Sequence, residues 1–332
     1  MHPLLRAAGE RQLGLFTASD ARRAGYGHPE IQALCSAGRW VRLRRGVYTT
    51  AERLADAEGR GARHRLECYA VLLDLDRPAA AISHVSAARL WGFPVLRGLD
   101  ATVRLTDPEL WRRGRNFHMT RAPLPESDVA MAGPLRLTSA ARTLVDAARE
   151  WPLDDAVVAM DSAVLAGRTS VDQLLEVTSR QLSWRGVQRS RRAIGLCDGR
   201  AESPLETRGR LRIVGAGLPT PELQVEIRAG GRLVAVVDGW FDEAAVAVEC
   251  DGRVKYTDPW RGRSPERVLW DEKRREDELR ALDIRVVRLV DADLGEGWPT
   301  FERRLRSLLA VPGPRSRLFT ATPRSRGIRR TA

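Results

Sequence analysis

Alternation between apolar and polar positions is clearest from residue 233 to residue 251. Leu233–Asp238 and Val246–Asp251 each have the pattern of a short apolar strand that ends in carboxylates, with a brief connection between them. Because successive side chains of a strand point to opposite faces, Glu249 and Asp251 share one face of the second strand. If the two strands pair as a hairpin, Asp238 approaches both. The pattern therefore predicts a hairpin with an acidic rim.

The first 50 residues combine helical spacing with alternation. A capping box at Thr17–Asp20 opens a short helix. A second helix starts at His28–Pro29, with apolar residues at helical spacing behind it. Trp40–Tyr48 then alternates as two strands that turn near Arg45. Helix, turn, helix and basic β-hairpin is the order of a winged helix-turn-helix, which we predict for residues 1–50.

The remaining chain mixes both patterns. The pattern of residues 51–200 predicts a mixed α/β region. Its helices are expected after Ser83 and Ser139 and over 154–165, 171–178 and 188–196, and its strands over 101–105 and 116–120. Residues 201–310 predict a helix from Ser203, a strand Leu223–Arg228, the acidic hairpin, a charged helix Glu266–Leu282 and a strand Ile284–Val290. Residues 311–332 are rich in Pro, Arg, Ser and Thr, so we predict a disordered basic tail. The chain is thus expected to be an α+β or α/β multidomain protein with domains at 1–50, 51–200 and 201–310.

Composition narrows the class of protein. The hydrophobic fraction of 43% is ordinary for a soluble protein. No apolar run approaches the ~20 residues that span a bilayer, and the N-terminus lacks the apolar core of a signal peptide. The four cysteines form no CxxC pair, which disfavours a zinc site and a disulfide framework. We therefore expect a cytoplasmic protein that has no membrane partner.

Charge points to a partner. The net charge is +12, and 53 of the 55 basic residues are arginines. A genome rich in G and C explains most of that preference for arginine, but it does not explain why the excess lies at the two ends of the chain. Arginine grips phosphate with a bidentate fork, so the basic ends predict DNA as the partner. The arginines expected to contact it are Arg22, Arg23, Arg39, Arg42, Arg44 and Arg45.

The acidic rim supplies candidate metal ligands. Carboxylates beside an apolar sheet are costly unless a positive charge neutralises them, and Mg²⁺ takes one or two carboxylates together with waters and phosphate oxygens. We expect Asp238 and Glu249 to bind Mg²⁺, with help from Glu206 or Asp251. Other interpretations stay open: Ser203–Glu206 is also a good helix cap, and Asp238 and Asp251 precede glycines, as turn residues do.

These motifs resemble two known families. Ser203–Glu206, Asp238, Glu249–Gly252 and Glu272–Glu276 resemble, in this order, the core of PD-(D/E)xK nucleases, and in particular a domain family related to very-short-patch mismatch-repair endonucleases. The stretch from Gly14 to Tyr48 resembles the winged-helix domain of AbiEi-like antitoxins of type IV toxin–antitoxin systems, and the middle blocks resemble actinobacterial proteins that join both units. The resemblance implies a restriction-endonuclease-like three-layer α/β core, a Mg²⁺ cofactor and a cognate toxin protein as a possible partner.

One departure from the nuclease pattern bears on activity. The usual motif has Lys two residues after its Glu, where this chain has Asp251. The two lysines of the chain, Lys255 and Lys273, are therefore the candidates for the catalytic positive charge. Lys273 also fits a solvated helix face, because it lies in a run of alternating charges.

Two functions of different classes follow. The first is a DNA-binding protein with a Mg²⁺-dependent endonuclease domain, acting in phage defence, and this is the interpretation we favour from sequence. The alternative is an antitoxin-like transcriptional regulator whose nuclease-fold domain is catalytically inactive. Asp251 in the place of lysine favours the alternative, and the acidic rim favours the enzyme.

Overall fold

The computed structural model describes residues 2–95, 102–251 and 265–324. The chain forms two compact units, and each is made of two stretches of sequence. Unit 1 comprises Met1–Ala156 and Thr169–Arg192, and unit 2 comprises Val157–Arg168 and Ala193–Ala332. In the described part of the chain no helix has both the length and the apolar character that crossing a lipid bilayer requires.

Unit 1 begins with the winged-helix order of elements. These are α1 (Pro3–Arg11), β1 (Phe16–Thr17), α2 (Ala18–Arg23), α3 (His28–Ser36), β2 (Trp40–Arg44) and β3 (Val47–Thr50). The three strands form one sheet in the order β1-β3-β2. The predicted capping box closes α2, because the Thr17 side chain accepts from the Asp20 amide and the Asp20 carboxylate accepts from the Thr17 amide. Phe16, Ile31 and Trp40 are buried together beneath the helices, so the predicted layout is confirmed.

The rest of unit 1 is built on a six-stranded mixed sheet in the order β6-β7-β5-β4-β9-β8. Its strands are β4 (Ala81–Ile82), β5 (Val103–Asp107), β6 (Arg112–Gly114), β7 (Phe117–Arg121), β8 (Val129–Ala132) and β9 (Leu135–Thr138). The helices that follow β3 are α4 (Ala51–Gly59), α5 (Arg63–Leu75), α6 (His84–Trp91), α7 (Ala140–Ala148), α8 (Leu153–Leu165), α9 (Val171–Ser179) and α10 (Val187–Gly195), of which residues 157–165 and 193–195 belong to unit 2. Apolar side chains of β5 and β7 pack with those of α5 and α6 in one core.

Unit 2 has helices on both faces of a five-stranded sheet. Its elements are α11 (Pro204–Gly215), β10 (Glu222–Ala229), β11 (Arg232–Phe241), β12 (Val246–Asp251), α12 (Pro265–Arg280), β13 (Arg285–Val290), α13 (Trp298–Leu309) and β14 (Thr320–Pro323). The strand order is β13-β12-β11-β10-β14, with β12 and β13 parallel and the other pairs antiparallel. Val248 packs with residues of α11 and α13, whereas Ala247 packs with Leu279 of α12. Alternation along β12 thus directs side chains to helices on both faces of the sheet.

The prediction of a disordered tail from residue 311 is wrong for residues 320–323. These form β14, which pairs with β10 from Val225 to Arg228. Phe319 is buried and its ring meets Trp240 edge-on, with 5.9 Å between ring centroids. This strand has little apolar character and is stabilised by pairing with the edge of β10. Its composition alone therefore resembles that of a disordered segment.

Candidate functional site

Most of the arginines expected to contact DNA lie on the outer surface of the winged helix. Arg22 of α2, Arg39 before β2, and Arg42 and Arg45 of the β2–β3 hairpin are all exposed. Within the described part of the chain, only Arg23 and Arg44 of the six candidates form ion pairs. The β2–β3 hairpin, which we call the wing, therefore presents positive charge that no residue of the described ranges neutralises.

Arg44 differs from the other five candidates. Its Nε lies 3.1 Å from Asp74 of α5, and its Nη1 donates to the carbonyl of Arg115 at 2.6 Å. The guanidinium also lies 5.1 Å from the centroid of the Phe117 ring, and only 14% of the side chain is exposed. Arg44 thus holds the end of β2 against the six-stranded sheet.

The exposed face of α3, the second helix of the winged helix-turn-helix, is polar but carries no arginine or lysine. Its exposed residues include His28, Glu30, Gln32 and Ser36. Amide and hydroxyl side chains of this kind can hydrogen-bond to base edges. Phosphate contacts must then come from the flanking arginines, which position a protein on DNA without specifying sequence.

A second candidate site lies between β11 and α11 in unit 2. The amide nitrogen of Gln224 donates to Glu206 Oε2 at 3.0 Å and to Asp238 Oδ1 at 3.2 Å, so one side chain bridges two carboxylates. Asp238 Oδ2 accepts from the backbone N–H of Cys250 at 2.8 Å. Glu206 and Asp238 both line a small cavity on this side of the sheet. Sequence reasoning missed Gln224, because nothing local distinguishes this glutamine from a surface residue.

Glu206 also takes part in the cap of α11, whose N-cap residue is Ser203, but its carboxylate does not complete the capping box of the alternative interpretation. Its amide donates to Ser203 Oγ at 3.2 Å, and its Oε2 accepts from the Glu202 amide at 2.8 Å. Burial, followed by the nearby charge of Asp238, raises the pKa of Glu206 to about 7. Glu206 therefore contributes both to the start of α11 and to the buried pair with Asp238.

Glu249 and Asp251 have different partners, on the α12 side of the sheet. Glu249 Oε1 lies 3.2 Å from Nη2 of Arg275, and Asp251 Oδ2 lies 3.6 Å from Nε of Arg288. Burial raises the pKa of Glu249; the charge of Arg275 opposes this, while those of Asp238 and Asp251 add to it. Arg275 and Arg288 were not predicted, although Arg288 pairs in register with Glu249 across β12 and β13.

Asp238 was expected to approach Glu249 and Asp251; its side chain accepts from Gln224 and from the Cys250 amide, and its charge still acts on Glu249. Val237 packs on the α12 side, whereas Gly239 pairs with Val248, which packs on the α11 side. Alternation is therefore interrupted at Asp238, opposite Gln224, whose φ of 53° is left-handed. Among the described residues no group of three His, Cys, Asp or Glu side chains is placed to hold a metal ion. Glu206 and Asp238 share the side-chain amide of Gln224, whereas Glu249 and Asp251 face Arg275 and Arg288.

Of the two candidate lysines, the structure describes only Lys273. Lys255 lies outside the described residues. Lys273 is an exposed residue of α12, and the basic group of that helix that reaches Glu249 is Arg275 instead. The positive charge beside the acidic rim is thus supplied by arginine.

The winged-helix order and the arginine-bearing wing agree with the comparison to known proteins. Residues 4–51 match the family described as "Transcriptional regulator, AbiEi antitoxin". Two relatives from Mycobacterium tuberculosis, "Uncharacterized protein Rv2248" of strain H37Rv and "Uncharacterized protein MT2308" of strain CDC 1551, are each 30% identical over 207 residues. The similarity covers 62% of this chain and 71% of each relative. The chain belongs to the family of these mycobacterial proteins.

Proposed function

We propose that this protein is a DNA-binding transcriptional regulator of the antitoxin type. The observation that carries the proposal is the wing: Arg42 and Arg45 are exposed beside α3, in a domain that matches an antitoxin regulator family. Unpaired arginines on a narrow hairpin are suited to the phosphates that flank a groove. The basic excess of the first 50 residues supports the same partner.

A cognate toxin protein is the second partner that this proposal implies. The family description names an antitoxin, and a direct contact with a toxin would use a surface other than the one for DNA. The winged helix accounts for a small part of the chain, which leaves the six-stranded sheet and unit 2 available for this contact. Co-purification with the product of an adjacent gene is the direct measurement.

The wing can be tested by its salt dependence. We expect the double variant Arg42→Gln/Arg45→Gln to bind a labelled duplex from upstream of its own gene more weakly than the wild type. The slope of log affinity against log salt should decrease by about 2, because each phosphate contact contributes roughly 0.9. Fluorescence anisotropy over a salt series measures both quantities.

The control for this experiment removes the same charge elsewhere. Arg303 and Arg304 are exposed on α13 of unit 2, and Arg303→Gln/Arg304→Gln lowers the net charge equally. A control that loses as much affinity as the wing variant contradicts the assignment of the wing. A wild-type protein that binds no duplex overturns the proposed function.

The carboxylate pair favours a second candidate function, a Mg²⁺-dependent DNA endonuclease. Glu206 and Asp238 repel one another in a buried setting, and a divalent cation relieves that repulsion. These two carboxylates would hold Mg²⁺, with Asp251 and Glu249 on the other side of β12. The ion supplies Lewis-acid stabilisation of phosphate charge and a more acidic water.

Plasmid cleavage tests this second candidate. If it is correct, the full-length protein with Mg²⁺ or Mn²⁺ nicks supercoiled plasmid, and Asp238→Asn lowers the rate by about 100-fold or more, the scale of losing an electrostatic contact to the transition state. Asp242→Asn is the matched control, because Asp242 is exposed and pairs with Arg317 away from the carboxylate pair. A wild-type protein that leaves the plasmid intact with either metal excludes the endonuclease.

A further inference from the structure

A second arginine-rich hairpin lies in unit 1, at the edge of the six-stranded sheet. The segment Trp111–Arg115 leads into and through β6, and every one of its residues is exposed. It contains Arg112, Arg113 and Arg115, and no acidic residue of the described chain forms an ion pair with any of them. Trp111 is 60% exposed. We call this segment, with β7, the β6 hairpin.

Packing fixes the shape of the β6 hairpin. Gly114 pairs with Phe117 across the two strands, and a Cβ at this glycine would lie 2.2 Å from the Phe117 ring. Arg113 pairs with His118. The Trp111 ring meets His118 edge-on, with 6.1 Å between centroids and 81° between ring planes. The exposed indole and the arginines are therefore held on an ordered scaffold.

Arg44 connects the β6 hairpin to the wing. It is the last residue of β2, immediately before the turn at residues 45–46. Its hydrogen bond to the Arg115 carbonyl and its position over Phe117 join the end of β2 to the turn of the β6 hairpin. The unpaired charges of Arg45 and Arg115 consequently lie on neighbouring hairpins of one unit.

Protection of the sheet edge is the simpler explanation for charged residues on β6. Lys, Arg and other charges on an edge strand discourage pairing with another chain. That explanation accounts for the arginines, but edge protection by charge does not require the exposed Trp111 indole that His118 holds beside them. Nor does it account for the junction with the wing through Arg44.

We propose that the β6 hairpin contacts the phosphate backbone of the same DNA duplex that the wing binds. This inference rests on the proposed function and extends its interface from the winged helix onto the six-stranded sheet. Arg112, Arg113 and Arg115 provide the phosphate contacts, and Trp111 packs against the sugars between them. Charge complementarity selects this partner, because the surface is a run of arginines without acidic residues.

The test is the triple variant Arg112→Gln/Arg113→Gln/Arg115→Gln in the full chain. We expect its salt slope to fall by about 3, from roughly 0.9 per lost phosphate contact. Its hydroxyl-radical footprint on the duplex should become shorter at one flank. Trp111→Ala should shorten the same flank with little change in the slope. Thermal unfolding of each variant, matched to the wild type, shows that the fold is intact.

Arg303→Gln/Arg304→Gln/Arg306→Gln is the matched control, because all three arginines are exposed on α13 and the change in net charge is the same. A control that equals the triple variant in slope and footprint overturns the inference. If the wing variant weakens binding while the β6 hairpin variant binds like the wild type, the inference fails and the proposed function stands. If the wild type binds no duplex, both fail.

Discussion

At the scale of single residues, chemistry in this chain is decided by which partner a charged group meets. Arg44 and Arg45 are neighbours in sequence, yet Arg44 forms an ion pair with Asp74 and a hydrogen bond to the Arg115 carbonyl, while Arg45 is exposed. Alternation predicted a basic face but could not show that one of its members has a carboxylate partner 30 residues away. Local sequence patterns cannot predict contacts between residues that lie far apart in the chain.

Glu206 should make stability depend on pH. Its pKa is raised from 4.5 to about 7 in the folded protein, so the protonated folded state is favoured. The free energy of unfolding therefore includes this contribution in full below pH 4.5 and loses it as pH rises through 7. The loss is about 3 kcal/mol at most. Glu206→Gln cannot ionise, so we expect it to match the wild type near pH 4 and to be more stable at pH 8.

Urea unfolding of both proteins across pH 4–8 measures this difference. Mg²⁺ added at pH 8 separates the two candidate functions, because a bound cation stabilises the ionised wild-type pair more than the glutamine variant. Equal pH profiles for the two proteins would show that the carboxyl of Glu206 titrates normally and that the buried pair is not under repulsion.

At the scale of elements, the wing and α2 were predicted from local signals, whereas two features that depend on neighbouring strands were not. The wing turns at residues 45–46 and α2 starts at its capping box, as the sequence indicated. β14 was missed because Thr320–Pro323 has little apolar character and becomes a strand only beside β10. The interruption at Asp238 was missed because Gln224, a residue that rarely adopts positive φ, gives no sign of it.

The segment that contains β14 should contribute measurably to the stability of unit 2. Phe319 is 6% exposed and packs in one core with Trp240 and Val225. We expect Phe319→Ala to lower the free energy of unfolding by about 3–5 kcal/mol, the usual cost of emptying a buried aromatic site. Chemical denaturation measures it. Leu318→Ala is the control, because Leu318 is exposed, and it should change stability little; equal losses in both variants would contradict the packing role.

At the scale of the whole molecule, the sequence predicted three domains and a tail, and the structure has two compact units. The core of the first unit crosses residue 50, since Leu15 and Val47 pack with Ala57, Leu66 and Ala70 of the following helices. Composition does not change at that point, so the sequence gives no sign of this shared core. The helix–strand–strand–helix–strand order of unit 2 could be predicted, because each of these elements has its own pattern along the chain.

The pairing of β14 with β10 has a consequence for synthesis. β10 emerges from the ribosome almost a hundred residues before its outer partner, so its edge stays open while the intervening chain is translated. Unit 1 receives its last residue, Arg192, much earlier, and can fold while the sheet of unit 2 is incomplete. Newly made copies are therefore most exposed to mispairing with one another in the interval before residue 323 is released.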